Sequence, residues 1–433
     1  MPKAATVLDE LKRAFLLTNK DILLLSASFH QAMLRGLHGQ PSPLKMLPSF
    51  LSAPDGSERG LYLALDFGGT NVRVLLVELH GNSQYTILAR RQTQLKDVGG
   101  RYDYTTSLTS ADELFDFIAS EVAQIVPSDK DLPLGHTFSF PSRQQDINNA
   151  LLINWTKELA VSGIEGHNVT KLLAAALMRT GLTRVRPVAI INDTVGTLLT
   201  AAYTHQNSCI GSICGTGHNS AYLEPHYRTT DSEMIINMES GNFDKLPLTN
   251  YDCMLDAASE KPGHQLLEKA VSGRYLGELL RLILCDLVNK DLISPLLSTP
   301  YYLSAEDMAF ILTDSTPALS NIAKWLVERC HIGNWSIEDR LALKEAAELL
   351  VNRSAGFVAA SYLGVIQHID PELERNHHIA IDGSLFEKMP GYAQTIARVL
   401  HNAHGVKANK ITTRLTKDGS GVGAAIAAAL ALL

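Results

Sequence analysis

Between Leu61 and Leu79 the chain sets two apolar, β-branched-rich runs on either side of Gly68-Gly69-Thr70-Asn71, which reads as a hairpin with a glycine turn. Asp66 ends the first of these strands, and a carboxylate closing an otherwise apolar strand must find a partner or a cation. Gly68 and Gly69 are free to take positive φ and present bare N–H groups. Thr70 adds a hydroxyl, Arg73 adds charge, and Asp66 has the chemistry to hold the water shell of Mg²⁺, so every part suits a nucleotide phosphate. A glycine pair between two hydrophobic runs fits an ordinary buried hairpin as well, and it is Asp66 that tips the balance. Asp66-Phe67-Gly68 also spells the metal motif of protein kinases, but no His-Arg-Asp loop accompanies it. A P-loop is excluded, because Gly-x-x-x-x-Gly-Lys-Ser/Thr occurs nowhere.

With 433 residues, 45% of them hydrophobic, the chain has material for two sizeable cores, and two domains with a cleft are expected. The formal charge of −7 comes with Lys and Arg scattered, so there is no footprint for nucleic acid or for an anionic membrane, and a small-molecule partner is expected. Five cysteines without a Cys-x-x-Cys argue against a disulfide framework and a zinc site. The first ten residues hold no apolar leader segment. The apolar stretch from Val422 to Leu433 is too short to span a bilayer. A cytoplasmic protein with no membrane partner is the expectation.

Residues 7–37 carry apolar side chains at three- and four-residue spacing, the pattern of one long or two short amphipathic helices. Three prolines within Gly39–Pro48 predict an extended segment leading into the first sheet. Tyr85–Leu95 reads as a third strand and Ser110–Val126 as a helix with a Ser110/Glu113 capping box. Leu134–Pro141 is a strand ending in Ser139-Phe140-Pro141, and Leu151–Lys157 another ending in Thr156-Lys157. Val188–Ile191 delivers Asn192-Asp193 to its tip before a glycine-containing turn; an Asx-turn that merely starts a helix would use the same letters. A second glycine hairpin, Ile210–Glu224, carries Gly215-Thr216-Gly217, and two such turns, one in each half, predict a duplicated α/β unit with the nucleotide clamped between copies. Glu239 ends a strand and Glu268 sits on a helix, where either acid fits an ordinary solvated surface position too. Helices are predicted over Ser304–Ser315 and Ser336–Gly364. Gly383-Ser384 forms a third glycine turn, and Gly419-Ser420 opens the terminal helix where adenosine or phosphate oxygens would fit.

These residues resemble the hexokinase family, specifically the eukaryotic-type hexokinases and glucokinases of the actin-like ATPase superfamily. The resemblance runs nearly the whole chain, through Lys45–Pro48, Leu65–Val77, Phe138–Pro141, Asn154–Lys157, Asn192–Thr197, Gly215–Gly217, Asn237–Glu239, Tyr275–Glu278 and Asp418–Gly421. It implies an α/β fold of two lobes, duplicated actin-like (RNase H-like) units about a central cleft. The lobes implied are 61–193 with 419–433, the smaller, and 1–60 with 194–418, the larger. By resemblance Asp193 is the catalytic base, and Ser139, Thr156, Lys157, Asn192, Asn219, Glu239 and Glu268 hold the sugar hydroxyls. Asp66, Gly68, Gly69, Thr70, Asn71, Arg73, Gly215, Thr216 and Gly217 match the nucleotide-phosphate loops, with Arg73 also counted as catalytic and Asp66 as the Mg²⁺ contact through water. Gly383, Ser384, Gly419 and Ser420 lie where the family binds adenosine.

The implied activity is ATP- and Mg²⁺-dependent phosphorylation of a hexose, most simply glucose, by a monomer or homodimer. A sugar sensor on the same fold is the rival, and the survival of Asp193 beside the sugar groups argues against it. The sequence departs from the family at Glu239-Ser240-Gly241, where Glu-Trp-Gly is usual, and at Asn242-Phe243-Asp244, departures that bear on the wall beside the sugar. His218 replaces a smaller residue in the Gly-Thr-Gly-x-Asn turn. The zinc-binding Cys-x-Cys of the repressor-and-kinase family is absent, as is an apolar N-terminal tail of the kind some hexokinases use to dock on mitochondria.

Overall fold

The computed structural model describes residues 3–127, 130–156, 159–227, 232–288 and 294–433. Two sheets organise it. The first has the order β4 (Gln84–Gln94), β3 (Asn71–Gly81), β2 (Arg59–Phe67), β5 (Leu132–Phe138), β8 (Val185–Ile191). The second runs β1 (Leu47–Pro48), β11 (Met234–Asn237), β10 (His218–Glu224), β9 (Ser208–Cys214), β12 (His377–Asp382), β13 (Ile411–Leu415). In each, a strand forms antiparallel pairs through the two that follow it and a parallel pair on its other side: β2 with β3 and β5, β9 with β10 and β12. Leaving aside the short β1, both sheets have the order 3-2-1-4-5 within their own unit, so the duplication read from the two glycine hairpins is a duplication of the whole sheet.

The helices are α1 (Lys3–Phe15), α2 (Asn19–Leu37), α3 (Ala111–Ala123), α4 (Val169–Arg179), α5 (Asp193–Thr204), α6 (Asn250–Ala258), α7 (Leu266–Val271), α8 (Gly273–Leu287), α9 (Ala305–Thr313), α10 (Ser320–Cys330), α11 (Ile337–Ile369), α12 (Ser384–Lys388), α13 (Tyr392–His404) and α14 (Gly419–Leu430). The N-terminal region is thus two helices, and Ser110/Glu113 forms the expected capping box. The last helix of each unit crosses to the other's sheet: α5, which follows β8, packs on β9 and β10, and α14, which follows β13, packs on β2 and β5. The two helices touch along small residues. A Cβ on Gly423 would lie 2.1 Å from the carbonyl oxygen of Gly196, and one on Gly196 2.8 Å from that of Ser420.

Several expectations are corrected. Gly196 is not in a turn: Asn192 caps α5 through Thr194 N (3.0 Å), and Gly196 lies inside the helix, where its missing side chain admits α14. Asn154–Thr156 is a loop beyond a short strand β7 (Asn149–Leu152), which pairs with β6 (Ser142–Asp146); Lys157 lies outside the described residues. Neither Gly68 nor Gly69 has a positive φ. A Cβ on Gly68 would meet only Asn71 O, at 3.9 Å, so the turn is open on that side and neither φ nor crowding requires glycine there. Helices α6, α10 and α13 were not anticipated.

One described helix, α11, is long and apolar enough to cross a membrane by length and composition, but 94% of its most apolar window is buried inside the fold. It carries Arg353, fully buried and paired bidentately with Asp252 on α6 at 2.6 and 2.8 Å. A buried charge tolerates this position only with such a partner, which fits α11 as the central strut of the second unit's core.

Among the described residues of the first unit, the buried side-chain polar atoms without a hydrogen-bond partner are Arg73 Nε, Thr170 Oγ1 and both ring nitrogens of His136. His136 points into the apolar core between Leu134 and Phe138, and burial pushes its pKa down to about 3. An unfolded-chain histidine titrates near 6.5. Between these values the unfolded chain takes up a proton that the native ring refuses, so stability is intact above about pH 6.5 and falls as pH drops toward 3, by up to about 1.4 kcal/mol per pH unit. Urea unfolding of His136→Leu at about pH 7.5 and about pH 4.5 is expected to show a smaller acid loss than wild type; equal losses would clear His136 of that role.

Candidate active site

The strand-to-turn junctions of both sheets meet where α5 and α14 begin. Asp66, near the end of β2, accepts from Ser420 Oγ at 2.9 Å and lies 3.8 Å from Arg73 Nη1. Arg73 Nη1 donates to Asp418 Oδ1 at 2.9 Å, and Arg90 pairs with the other oxygen of Asp418. Thr137 Oγ1 and Thr200 Oγ1 hold the carbonyls of Ser420 and Gly419 at 2.8 and 2.7 Å. The turn at 68–71 is closed by Gly68 N to Asn71 O (3.1 Å), with Asn71 Nδ2 on Thr70 Oγ1 (2.9 Å).

The second glycine turn is braced from behind. Gly273 N and Arg274 N, the first amides of α8, donate to Gly215 O and Thr216 O at 2.8 and 3.1 Å. Gly383 lies against the same turn with φ +123, and a Cβ there would sit 2.5 Å from Cys214 O, so no other residue fits. Ser384 opens α12 immediately afterwards. The Gly215–Gly217 and Gly383–Ser384 turns are therefore neighbours, as the resemblance implies.

The polyol-type groups form a connected set that joins Asn192, beyond β8 of the first unit, to the second unit. Asn219 Nδ2 reaches Asn237 Oδ1 at 2.9 Å and Asn192 Oδ1 at 3.4 Å, and Asn237 Nδ2 donates to Glu239 Oε1 at 2.9 Å. Glu239 lies two residues beyond β11 in left-handed backbone, φ 53 and ψ 49. Glu268 is no surface acid: its Oε2 accepts from His218 N at 2.9 Å. Asp193 begins α5 with Oδ1 on Thr194 N, 2.9 Å. Ser139 and Thr156 lie in loops just beyond β5 and β7 of the first unit. Their loops are founded on an aromatic cluster of Phe67, Phe138, Phe140 and Trp155, whose indole Nε1 donates to Val161 O at 2.8 Å.

A cavity of about 30 Å³ lies between the two sides, lined by Phe138, Phe140, Asn192, Asn237 and Glu239 among others. It is water-sized and lies at the joint between the halves. A larger cavity of about 400 Å³ lies at the opposite end of the second sheet, by Ser208, Cys209 and His377 where β9 and β12 begin, away from every residue above.

Asp382 was overlooked in the sequence, although it ends an apolar strand just before a glycine as Asp66 nearly does. Burial pushes its carboxyl up to about 6; Gly383 N and Arg73 pull it down, and Asp66 and Asp418 add to the rise. Asn237 and Ser240 belong to the polar set too, although the sequence marks Asn237 only as part of the Asn237–Glu239 motif and Ser240 only as a departure beside the sugar wall. Oxygen donors suit Mg²⁺, and here carboxylates crowd together while both nearby guanidinium groups are engaged by Asp418. Asp66 and Asp382 are the carboxylates that would hold such a cation, although no group of three or more His, Cys, Asp or Glu gathers into a metal site among the described residues.

A duplicated sheet with a phosphate-type turn in each copy and a polyol-type set between them defines a sugar-phosphorylating enzyme. Family models described as hexokinase match residues 7–203 and 209–430, dividing the chain where α5 ends and β9 begins. Hexokinase-7 of Oryza sativa subsp. japonica is 37% identical over 416 residues, 90% of this chain and 88% of that protein. A hexokinase crystal structure aligns with TM-score 0.85 at 32% identity, covering 99% of each chain. The Schistosoma mansoni hexokinase, solved with glucose, gives TM-score 0.85 at 31% identity over 98% of this chain and 99% of its own. The chain belongs to the hexokinase family. It is an enzyme that phosphorylates a sugar, on a two-lobed actin-like fold.

Because Trp155 anchors the loop that carries Thr156, Trp155→Phe is expected to keep the packing and lose one hydrogen bond, about 1 kcal/mol. Trp155→Ala is expected to lose about 3–5 kcal/mol. Chemical denaturation distinguishes the two, and equal losses would mean that the ring's bulk contributes nothing.

Proposed function

We propose that this hexokinase transfers the γ-phosphoryl group of ATP to the 6-hydroxyl of a hexose, giving hexose 6-phosphate and ADP, with glucose the first candidate. The observation that carries the reading is the connected set Asn192, Asn219, Asn237 and Glu239 beside Asp193, in a fold whose duplicated sheets each carry a glycine turn on an equivalent strand. Family membership supports ATP as donor, and the glucose in the similar Schistosoma mansoni structure makes glucose the sugar to test first.

Asp193 takes the proton of the 6-hydroxyl as that oxygen forms its bond to the γ-phosphorus, and the bond from γ-phosphorus to the β,γ-bridging oxygen breaks in line. Thr194 N holds one carboxylate oxygen of Asp193 and so orients the group. Asn192, Asn219, Glu239 and Glu268, with Ser139, Thr156 and Lys157, bind and orient the sugar; Asp66, Gly68, Gly69, Thr70, Asn71, Arg73, Gly215, Thr216 and Gly217 serve the phosphates, and Gly383, Ser384, Gly419 and Ser420 the adenosine. Mg²⁺, when bound, supplies charge neutralisation across the phosphates. Positioning and electrostatics account for most of the acceleration in such transfers.

The sugar groups are divided between lobes 61–193 with 419–433 and 1–60 with 194–418, so the sugar itself draws the cleft shut and keeps water from the base. The first lobe's sheet begins two residues earlier, at Arg59.

Two measurements test the reading. Asp193→Asn is expected to lower turnover by about 10²–10⁴-fold with sugar affinity comparatively intact; more than half of wild-type turnover would remove Asp193 from the mechanism. ATP hydrolysis without sugar is expected at no more than about a thousandth of the glucose rate, a barrier gap near 4 kcal/mol, and a rate within about tenfold would point to an ATPase instead.

A further inference from the structure

Three asparagine amides lie within the sugar set, and in each the orientation of oxygen and nitrogen is fixed by a backbone N–H, which has no choice but to donate. Asn192 Oδ1 accepts from Thr194 N at 3.0 Å and Thr194 Oγ1 at 2.7 Å. Asn219 Oδ1 accepts from Ser220 N at 2.7 Å, Ser240 N at 3.0 Å and Ser240 Oγ at 3.4 Å. Asn237 Oδ1 accepts from Glu239 N at 3.3 Å and Asn219 Nδ2 at 2.9 Å.

An amide oxygen offers two lone pairs. Those of Asn192 and Asn219 are spent on these donors, so neither oxygen has capacity left for a sugar hydroxyl. What each amide retains is its NH₂ group. The long contact from Asn219 Nδ2 to Asn192 Oδ1, at 3.4 Å, is made to an oxygen already saturated, and it is the bond a hydroxyl oxygen would displace. Asn237 does the reverse for Glu239: its Nδ2 gives Oε1 a donor at 2.9 Å, and its Oδ1 holds the backbone N–H. Two bonds from one side chain thereby secure a residue in left-handed backbone, a conformation that a non-glycine residue keeps only when its surroundings demand it.

We propose that Asn237 and Ser240 are positioning residues that present Asn219 to the sugar as a donor and Glu239 as an acceptor, so that the site is matched to hydroxyls, which accept and donate at once. The proposal rests on the reading that Asn219 and Glu239 hold the sugar. Ser240 is fully buried and stands at one of the positions where this sequence departs from its family; the residue that departs supplies the third donor to Asn219.

Steady-state kinetics of the full-length enzyme, with glucose and MgATP varied separately from about pH 5.5 to about pH 8.5, test this. Asn237→Ala is expected to raise the glucose KM about tenfold or more at every pH, with the MgATP KM and kcat changed less than about threefold. Asn237→Asp is isosteric but sets a second carboxylate against Glu239. Its glucose KM is expected to match the Ala variant near pH 8.5 and to fall toward wild type near pH 5.5, where one proton shared by the two carboxylates replaces the lost N–H. Ser240→Ala is expected to raise the glucose KM about two- to fivefold. A merely structural role for Asn237 would give no acid rescue, so a pH-independent KM in Asn237→Asp overturns the proposal, and does so even where the Ala variant fails to fold. An unchanged glucose KM in Asn237→Ala alongside a raised one in Glu239→Ala also overturns it, leaving the sugar assignment standing. An unchanged KM in Glu239→Ala would instead defeat that assignment.

Discussion

The arrangement of the site depends on the contact of α5 with α14. Each helix issues from the last strand of its own unit and packs on the sheet of the other, and the two can exchange in this way only if their backbones touch. Gly196 and Gly423 make that possible: with a Cβ on Gly423 2.1 Å from a carbonyl oxygen, even alanine would push the helices apart. Because the contact lies near the beginning of both helices, it sets their N-termini side by side. Asn192-Asp193 and Asp418–Ser420 then fall at one place, although more than half the chain separates them.

The rest of the site is hung on that crossing by hydrogen bonds from each sheet. Thr137 on β5 and Thr200 on α5 take the first two carbonyls of α14, and Ser420 passes the connection to Asp66 on β2. On the other side α7 and α8 join the two chemistries. Glu268 on α7 holds the amide of His218, and the first amides of α8, just past the break between these helices, hold the carbonyls of Gly215 and Thr216. A displacement of Glu268 would be felt two residues away in the Gly215–Gly217 turn, so the groups proposed for sugar and for nucleotide share one hydrogen-bonded frame.

What the sequence discloses follows from how local the signal is. The glycine hairpins, the carboxylate at Asp66 and the capping box at Ser110 are carried by neighbouring residues, and they stand in the structure where they were read. The 3-2-1-4-5 order of both sheets is visible only as two similar hairpins, because the parallel strands β5, β8, β12 and β13 carry no mark of which neighbour they choose. Asn192-Asp193 was assigned to a strand tip correctly, but Gly196 was taken for a turn. A glycine inside a helix and one in a turn spell alike until the crossing partner, more than 220 positions away, is known. Asn237 stands in the Asn237–Glu239 motif, but its role does not show there: it holds two other side chains, Glu239 and Asn219, and the second lies 18 positions away in the chain.

His218 shows how a departure from the family is absorbed. A histidine beside a phosphate turn suggests added positive charge, yet burial pushes its pKa down to about 4, with Ile213 O opposing the shift only in part. The ring is therefore neutral at physiological pH. It lies beneath the sheet, Nδ1 on Ile213 O at 3.0 Å and near Cys214, which in turn contacts Tyr362 of α11. What His218 offers the site is its backbone N–H, held on Glu268. Any residue supplies that group, so the position tolerates a change of side chain as long as the new one finds room below the sheet. At Ser240 the logic is opposite, since its hydroxyl as well as its N–H enters the polar set, and a change of side chain there reaches the sugar wall directly.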